Sequence, residues 1–300
     1  MVGAIQQQRG GTLLTLKAPA KINLVLEVLG KRKDGYHDIK SIIQTVSLFD
    51  VLSFEKADDI ELSCNAKELQ SEDNLVFKAA VILKKMSGYA SGVKIYLEKQ
   101  IPWAAGLGGG SSDAAVTLTG LNRLWSLGMT REKLAEVAAL IGSDVPFFLY
   151  GGTCQAEGRG ETLIKLPDIE ENWFVLVKPS LLVHPGKTSR LYGLIGPGQY
   201  TKGEYTDRMR QSISAMGKAD QIYLHNVFDS VSSIAYPGLE RYRSIFRSAG
   251  AEGIHLAGSG PVLFTGVRDQ KSAAEIQDKL RVHDIQSFLV SSLPGGEIGY

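Results

Sequence analysis

The sequence predicts an α+β protein, and three observations carry that prediction. Strand-like apolar runs fall in both halves, at Ile39 to Phe54 and Val93 to Leu97, then again at Trp173 to Val177 and Val262 to Val267. Helix-like spacing also falls in both halves, behind Asn74 and from Leu239 to Ala249. The two kinds of element do not alternate as a regular βαβ repeat, which sets the chain apart from doubly wound parallel folds.

Taken in order, Leu13 to Val28 reads as strand interrupted at Ala18-Pro19-Ala20, and the basic run at 30–35 reads as a turn. Ile39 to Phe54 and Ile60 to Ser63 are further strands. Asn74 to Met86 is a helix, with Leu75, Ala79, Ile82 and Leu83 on one face. A second helix at Leu134 to Ile141 has Thr130 as its cap and Gly142 as its stop. The polar stretch from Asp168 to Asn172 marks a domain boundary, giving domains at 1–166 and 167–300. The second half opens with the strand at Trp173 to Val177. A glycine-rich loop from His184 to Tyr205 follows, then helices at Asp207 to Met216 and Leu239 to Ala249. Strands at Gly253 to Ala257, Val262 to Val267 and Ser287 to Ser291 complete it.

Composition narrows the function classes. The 300 residues are 44% hydrophobic and 22% charged, enough for two domains of ordinary size. A net charge of +1 gives no global pull toward nucleic acid or an anionic membrane. Cys64 and Cys154 are isolated, and with five histidines they form no metal-binding spacing or disulfide framework. Neither a signal peptide nor a membrane-spanning run is expected, which points to the cytoplasm.

Chemistry concentrates in Pro102-Trp103-Ala104-Ala105-Gly106-Leu107-Gly108-Gly109-Gly110-Ser111-Ser112. Four glycines within Gly106 to Gly110 allow tight bending and bring several N–H groups toward one anion. The strand at Val93 to Leu97 precedes the loop. Ala114, Leu118, Leu121 and Trp125 follow it at helical spacing, with Ser111 or Ser112 as cap of a helix starting near Asp113. Strand, glycine turn and helix N-terminus together form a phosphate cradle. It is neither a Walker A loop, which needs a lysine after the last glycine, nor a dinucleotide fingerprint, whose third glycine position holds Ser111.

Other residues read less sharply. Lys21 in an apolar strand is either a snorkelling edge residue or a cation for a phosphoryl group, with Asn23 two residues on along the same face. Asp144, before Val145 and Pro146, is either a helix cap or a proton acceptor. Tyr36 and His37 sit in a hairpin or in an aromatic edge for a base. Pro185-Gly186-Lys187-Thr188 lacks the opening glycine of a Walker A, since position 181 is Leu181. Gly258-Ser259-Gly260-Pro261 is a tight hairpin or a second anion loop.

In order and spacing, Pro19 to Leu24, Pro102 to Ala115 and Leu256 to Pro261 resemble the three motifs of the GHMP kinase family. The resemblance implies an N-terminal domain like the second domain of ribosomal protein S5 and a ferredoxin-like C-terminal domain. It implies ATP, with Mg2+, along Pro102 to Ser112, the adenine toward Lys99 and the phosphates over Gly106 to Ser112. Lys33 to His37 and Gly142 to Phe148 resemble the branch of the family that phosphorylates the tertiary hydroxyl of a diphosphocytidyl sugar alcohol in non-mevalonate isoprenoid synthesis. By that resemblance Asp144 is the general base and Lys21 its charged partner, whose charge favours the ionised carboxylate. Asn23 holds the polyol, Tyr36 and Tyr192 sandwich the cytosine, and His37 reads its edge. Ser112 is the expected magnesium contact. Partners are then small molecules only, with no nucleic acid or membrane, on a monomer or weak homodimer. Ala257 stands where a serine is expected, and Leu224 to Asp229 departs from the family run, which limits that segment to packing. The alternatives are another small-molecule kinase of the family, of mevalonate or homoserine type, and an RNA-binding module, against which the near-neutral charge argues.

Overall fold

The computed structural model describes residues 5–8, 11–184 and 186–296, with side chains from residue 13 onward. The N-terminal extension ahead of Ile5, Pro185, and the chain beyond Gly296 lie outside the described residues.

The larger of two sheets holds β1 (Ile5–Gln8), β2 (Gly11–Lys31), β3 (His37–Ala57), β4 (Ile60–Cys64), β5 (Gly92–Glu98), β6 (Thr153–Gly158) and β7 (Thr162–Lys165). Its central path runs β1-β2-β3-β5-β4, with β6 and β7 continuing from the other end of β3. The strand interruption expected at Pro19 is a register shift between Pro19 and Ala20 within one long strand. A bulge lets the chain bend there while keeping its pairing on both sides. Helices α1 (Leu75–Ser87), α2 (Gly109–Leu124), α3 (Arg131–Ile141) and α4 (Val145–Tyr150) cover one face. Asn74 caps α1 by accepting from the Val76 amide at 2.9 Å, and Thr130 caps α3. Phe54, Leu83, Leu118 and Phe148, all fully buried, fill the space between helices and sheet.

The second sheet holds β8 (Trp173–Val177), β10 (His255–Leu256), β11 (Leu263–Val267) and β12 (Ser287–Ser291), all antiparallel, in the order β10-β11-β8-β12. The short β9 (His225–Asn226) instead joins the first sheet, parallel to β2 at Val25 and Leu26. The remaining helices are α5 (Lys187–Leu194), α6 (Glu204–Met216), α7 (Ser232–Ala235), α8 (Leu239–Ser248) and α9 (Gln270–Arg281). Reading β8-α8-β10-β11-α9-β12 along the chain gives the split βαβ repeat of a ferredoxin-like unit. Ile22 and Leu24 from β2 meet Phe174, Met209 and Phe264 in a core shared by both sheets. The first sheet's last strand ends at Lys165 and the second sheet begins at Trp173, while β9 crosses back.

Two expectations need correction. Residues 184–205, expected as a loop, contain α5, anchored by the fully buried Leu191. The helix expected near Asp113 begins at Gly109, and its N-cap is Gly108, in the left-handed region with no side-chain cap. Ser111 and Ser112 thus lie inside the first turn, leaving the amides of Gly109, Gly110 and Ser111 unpaired, as helix starts do. The first closed bond runs from the Ser112 amide to the Gly108 carbonyl at 2.9 Å.

Candidate active site

A cavity of about 700 Å³ opens where the glycine loop, β2, α4, α5 and the loop at 257–261 converge. Its floor is the stretch from Pro102 to Ser111, and the free amides at the start of α2 give it an electropositive end. The loop is locked by backbone contacts. Gly106 has φ +87°, and a Cβ there would strike the Ala257 carbonyl and come within 2.8 Å of the Gly260 amide. The two glycine-containing motifs therefore interlock, and the hairpin reading of Gly258 to Pro261 holds: Ala257 donates to Val262 at 2.8 Å while the tip packs on the glycine loop. Gly106→Ala should cost at least about 2 kcal/mol, from left-handed strain plus the clash. Chemical unfolding would read the stability.

Lys21 is buried at 6% exposure in the interior of a paired strand, so it is not a snorkelling edge residue. Its amide donates to the Leu107 carbonyl at 2.9 Å, tying β2 to the glycine loop. Its ammonium donates to Asn23 Oδ1 at 2.6 Å, and Asn23 Nδ2 donates to Ser41 Oγ at 2.8 Å. Burial pushes the ammonium below its usual range, while the charge of Asp144 pulls it back up. A Cβ on Gly258 would lie 2.9 Å from Lys21 Nζ, which places the third motif directly beside this ammonium.

Asp144 occupies the N-cap position of α4, yet its side chain makes no cap bond. It is an exposed carboxylate on the cavity wall whose charge acts on Lys21 and on Tyr192 through space. Lys21 and Asp144 face one another without a direct ion pair, because the lysine is held by Asn23.

Lys99, toward which the adenine is expected to lie, lines the cavity and has its ammonium engaged, 2.5 Å from Asp50 and 2.8 Å from Asp113. Asp50 also accepts the Gln100 and Ile101 amides at 2.6 and 2.8 Å. Burial pushes the Asp113 carboxyl up to about 8, against the pull of Lys99. Burial alone would lower Lys99, but its two carboxylates raise it on balance. This buried triad braces the segment leading into the loop, so the side chain of Lys99 is not free for a base. Ser112 differs from expectation. Its hydroxyl is buried without a partner and is not on the cavity wall, whereas Ser111 is.

A second cavity of about 620 Å³ is lined by Tyr36, His37 and Tyr192, and shares Arg159, Thr188 and Tyr192 with the first. Gly35 turns the β2–β3 hairpin, so Tyr36 at its tip is 58% exposed, with the Arg159 guanidinium 5.0 Å from its ring. The next residue points inward, as alternation along a strand requires. His37 is 9% exposed and stacks on Tyr192, with ring centroids 5.2 Å apart and planes 16° apart. It thus presents a face to Tyr192 rather than an edge, and its Nε2 is buried without a partner.

Sequence reasoning missed several supports. Asn226 Nδ2 donates to the Leu256 and Gly258 carbonyls, both at 2.8 Å, and Asp229 accepts from the Leu256 amide at 2.9 Å and bonds His255. The segment set aside as packing therefore holds the third motif in place. Arg159 carried no motif and Lys187 only a rejected Walker A ending, and the tertiary fold brings both to the cavity.

With this geometry, the chain matches the family models for the GHMP kinases N terminal domain at residues 74–152 and the GHMP kinases C terminal domain at residues 208–284. The chain belongs to the GHMP kinase family, and it is an ATP-dependent small-molecule kinase of two-domain α+β architecture. Among its relatives is the 4-diphosphocytidyl-2-C-methyl-D-erythritol kinase of Dehalococcoides mccartyi, 44% identical over 94% of this chain and 99% of the relative. The enzyme of the same name from Exiguobacterium sibiricum is 43% identical over 89% of this chain and 94% of its own length. A crystal structure of 4-(cytidine 5'-diphospho)-2C-methyl-D-erythritol kinase superposes with TM-score 0.79 at 30% identity, covering 94% of this chain and 99% of the other. Homoserine kinase from Cytophaga hutchinsonii, at TM-score 0.73 and 17% identity over 99% of each chain, shares the fold.

Proposed function

We infer that the chain transfers the γ-phosphoryl group of ATP to the tertiary, position-2 hydroxyl of 4-diphosphocytidyl-2-C-methyl-D-erythritol. The observation that carries this reading is the pair of adjoining cavities. One has a cradle of free amides with Lys21 and Asp144 on facing walls, and the other is edged with aromatic rings.

Phosphoryl transfer needs alignment and charge neutralisation more than covalent chemistry. In this reading the amides of Gly109 to Ser111 hold the phosphates, and the Lys21 ammonium neutralises charge on the moving group. Asn23 holds that ammonium in place and reaches the polyol. Asp144 accepts the hydroxyl proton as the oxygen attacks. In the second cavity Tyr36 and Tyr192 offer stacking surface, His37 Nε2 offers an unpaired polar atom to a base, and Arg159 stands between base and phosphates. Mg2+ accompanies ATP in this scheme. No cluster of three or more acidic, histidine or cysteine groups is available to it among the described residues. The donor set fits an ion held mostly by phosphate oxygens, with a hydroxyl from Ser111 or the unpartnered Ser112, and its chemistry there is charge neutralisation. The domain division at 166/167, a cytosolic location, small-molecule partners alone, and a monomer or weak homodimer complete the reading.

The test is a competition assay with ATP and Mg2+, offering the diphosphocytidyl acceptor against mevalonate and homoserine. Only the first should be phosphorylated, and turnover of either rival in its place would overturn the assignment. Replacing Tyr192 with alanine should raise the acceptor KM while leaving the ATP KM unchanged. The loss should match base stacking, about 1–3 kcal/mol. An effect confined to the ATP KM would move the base site elsewhere.

A further inference from the structure

Lys187 is a second ammonium at the cavity, and the chemistry above does not use it. It is the first residue of α5, half-buried, and lines the larger cavity with Lys21 but not the second cavity with Tyr36 and His37. Its Nζ donates to the Gly260 carbonyl, and the adjacent Thr188 Oγ1 lies 2.9 Å from Ser259 Oγ. Because the Gly260 amide lies against Gly106, these bonds fix Lys187 on the glycine-loop side of the cavity. Among the described residues, neither Lys187 nor Lys21 has a carboxylate within 4.0 Å. The titratable and charged groups around it are Lys21 from β2, Asp144 at the start of α4, His184 and Arg190 flanking it along the chain, and Tyr236 after α7.

Of the other charged groups on the cavity lining, Asp113 is paired with Lys99, and Glu68, Asp73 and Arg159 complete the set, so Lys187 and Lys21 are two desolvated ammonium groups with only the charge of Asp144 to offset them, through Lys21. Two desolvated ammonium groups raise each other's cost of staying charged, and an incoming polyanion removes that cost. We propose that Lys187 is a second cationic contact for the terminal phosphate of the nucleoside triphosphate, acting beside Lys21, and that it takes up a proton when that phosphate binds. The proton comes from solvent and goes to the Nζ amine, so nothing else need be oxidised, reduced or released. Burial, and then the repulsion of Lys21, bring the free enzyme's Lys187 down to about 7, which agrees with this placement. The proposal rests on the kinase reading above but not on the identity of the acceptor.

The sign of the effect follows. Above pH 7 the amine is increasingly neutral in the free protein, so contact with the phosphate requires proton uptake and weakens by up to about tenfold per pH unit. The experiment measures calorimetric affinities for a non-hydrolysable ATP analogue and for ADP, with Mg2+ and without acceptor. It covers pH 6.5 to 9, in buffers of different ionisation enthalpy, for wild type, Lys187→Met and Lys187→Arg. In wild type the preference for the triphosphate over ADP should decline above pH 7, with an extra proton bound on triphosphate binding. Lys187→Met should lose about tenfold of that preference at pH 7 and lose the extra proton, whereas Lys187→Arg should keep the preference to pH 9. An unchanged pH slope and proton count in Lys187→Met would overturn the proposal. So would equal weakening of both nucleotides, the signature of a brace for the Gly260 loop. With no acceptor in the cell, failure here is distinguishable from failure of the acceptor assignment.

Discussion

Asp144→Asn should reduce turnover by about 10² to 10⁴-fold while ATP affinity stays within a few-fold. Two structural facts make the prediction clean. The side chain is exposed, and it makes no cap bond although it occupies the N-cap position of α4. The substitution therefore removes one charge and one proton acceptor without removing an observed hydrogen bond, and thermal stability should hardly move. A second consequence distinguishes a role in chemistry from a role in folding. The charge of Asp144 raises the Lys21 ammonium against its burial penalty. In Asp144→Asn that support is gone, so Lys21 deprotonates at lower pH and the alkaline limb of any residual activity moves toward neutrality. Steady-state kinetics across pH would show both effects, and wild-type turnover in this variant would remove Asp144 from the reaction.

Lys21→Met is the second large effect, with an expected loss in kcat of about 10² to 10³-fold, the size seen when a preorganised electrostatic contact is deleted. Methionine follows the lysine stem without the charge. Removing a buried ammonium that has no carboxylate within ion-pair distance relieves its desolvation, while Asn23 Oδ1 loses the donor it holds at 2.6 Å. These effects oppose each other, so the melting temperature should change little while activity collapses. Rapid-quench single-turnover measurement separates the two steps, and a slow chemical step with near-normal nucleotide binding is the expected pattern. Loss of folding instead would mean that Lys21 serves the core.

Which parts were legible in the sequence follows from how local their causes are. The strand, glycine turn and helix around Gly106 were readable because period, turn residue and helix start all lie within one short segment. The exact helix start was not, since Gly108 supplies the cap through its backbone and the serines that invite a cap reading fall one turn later. Residues 187–194 hide a helix because Leu191 is the only residue of that stretch that is fully buried. The strand at Thr153–Gly158 has no apolar alternation, being buried on both faces with polar side chains that pair across the fold, as Thr153 does with Gln44 at 2.5 Å. Residues 270–281 carry an ordinary helix signal, with Asp269 accepting from Ser272 at 2.8 Å ahead of Ala273, Ile276 and Leu280. At the site, Lys21, Asn23 and Asp144 came from motif resemblance, and the fold brings all three to one cavity. The engagement of the Lys99 ammonium was not legible, because its two carboxylate partners lie 49 and 14 residues away in the chain. The stacking of His37 on Tyr192 was not legible, because nothing in a hairpin sequence reveals that a ring on a helix far along the chain will meet its face.

The central claim is that unpaired main-chain amides, rather than a lysine-tipped loop, grip the triphosphate. Hydrogen–deuterium exchange of the peptide spanning 106–112, with and without a non-hydrolysable ATP analogue, tests it most directly. The amides of Gly109, Gly110 and Ser111 have no helical partner and should exchange fast in the free protein, then slow markedly with nucleotide bound. Equal uptake in the two states, at nucleotide concentrations that saturate the protein, would contradict the account.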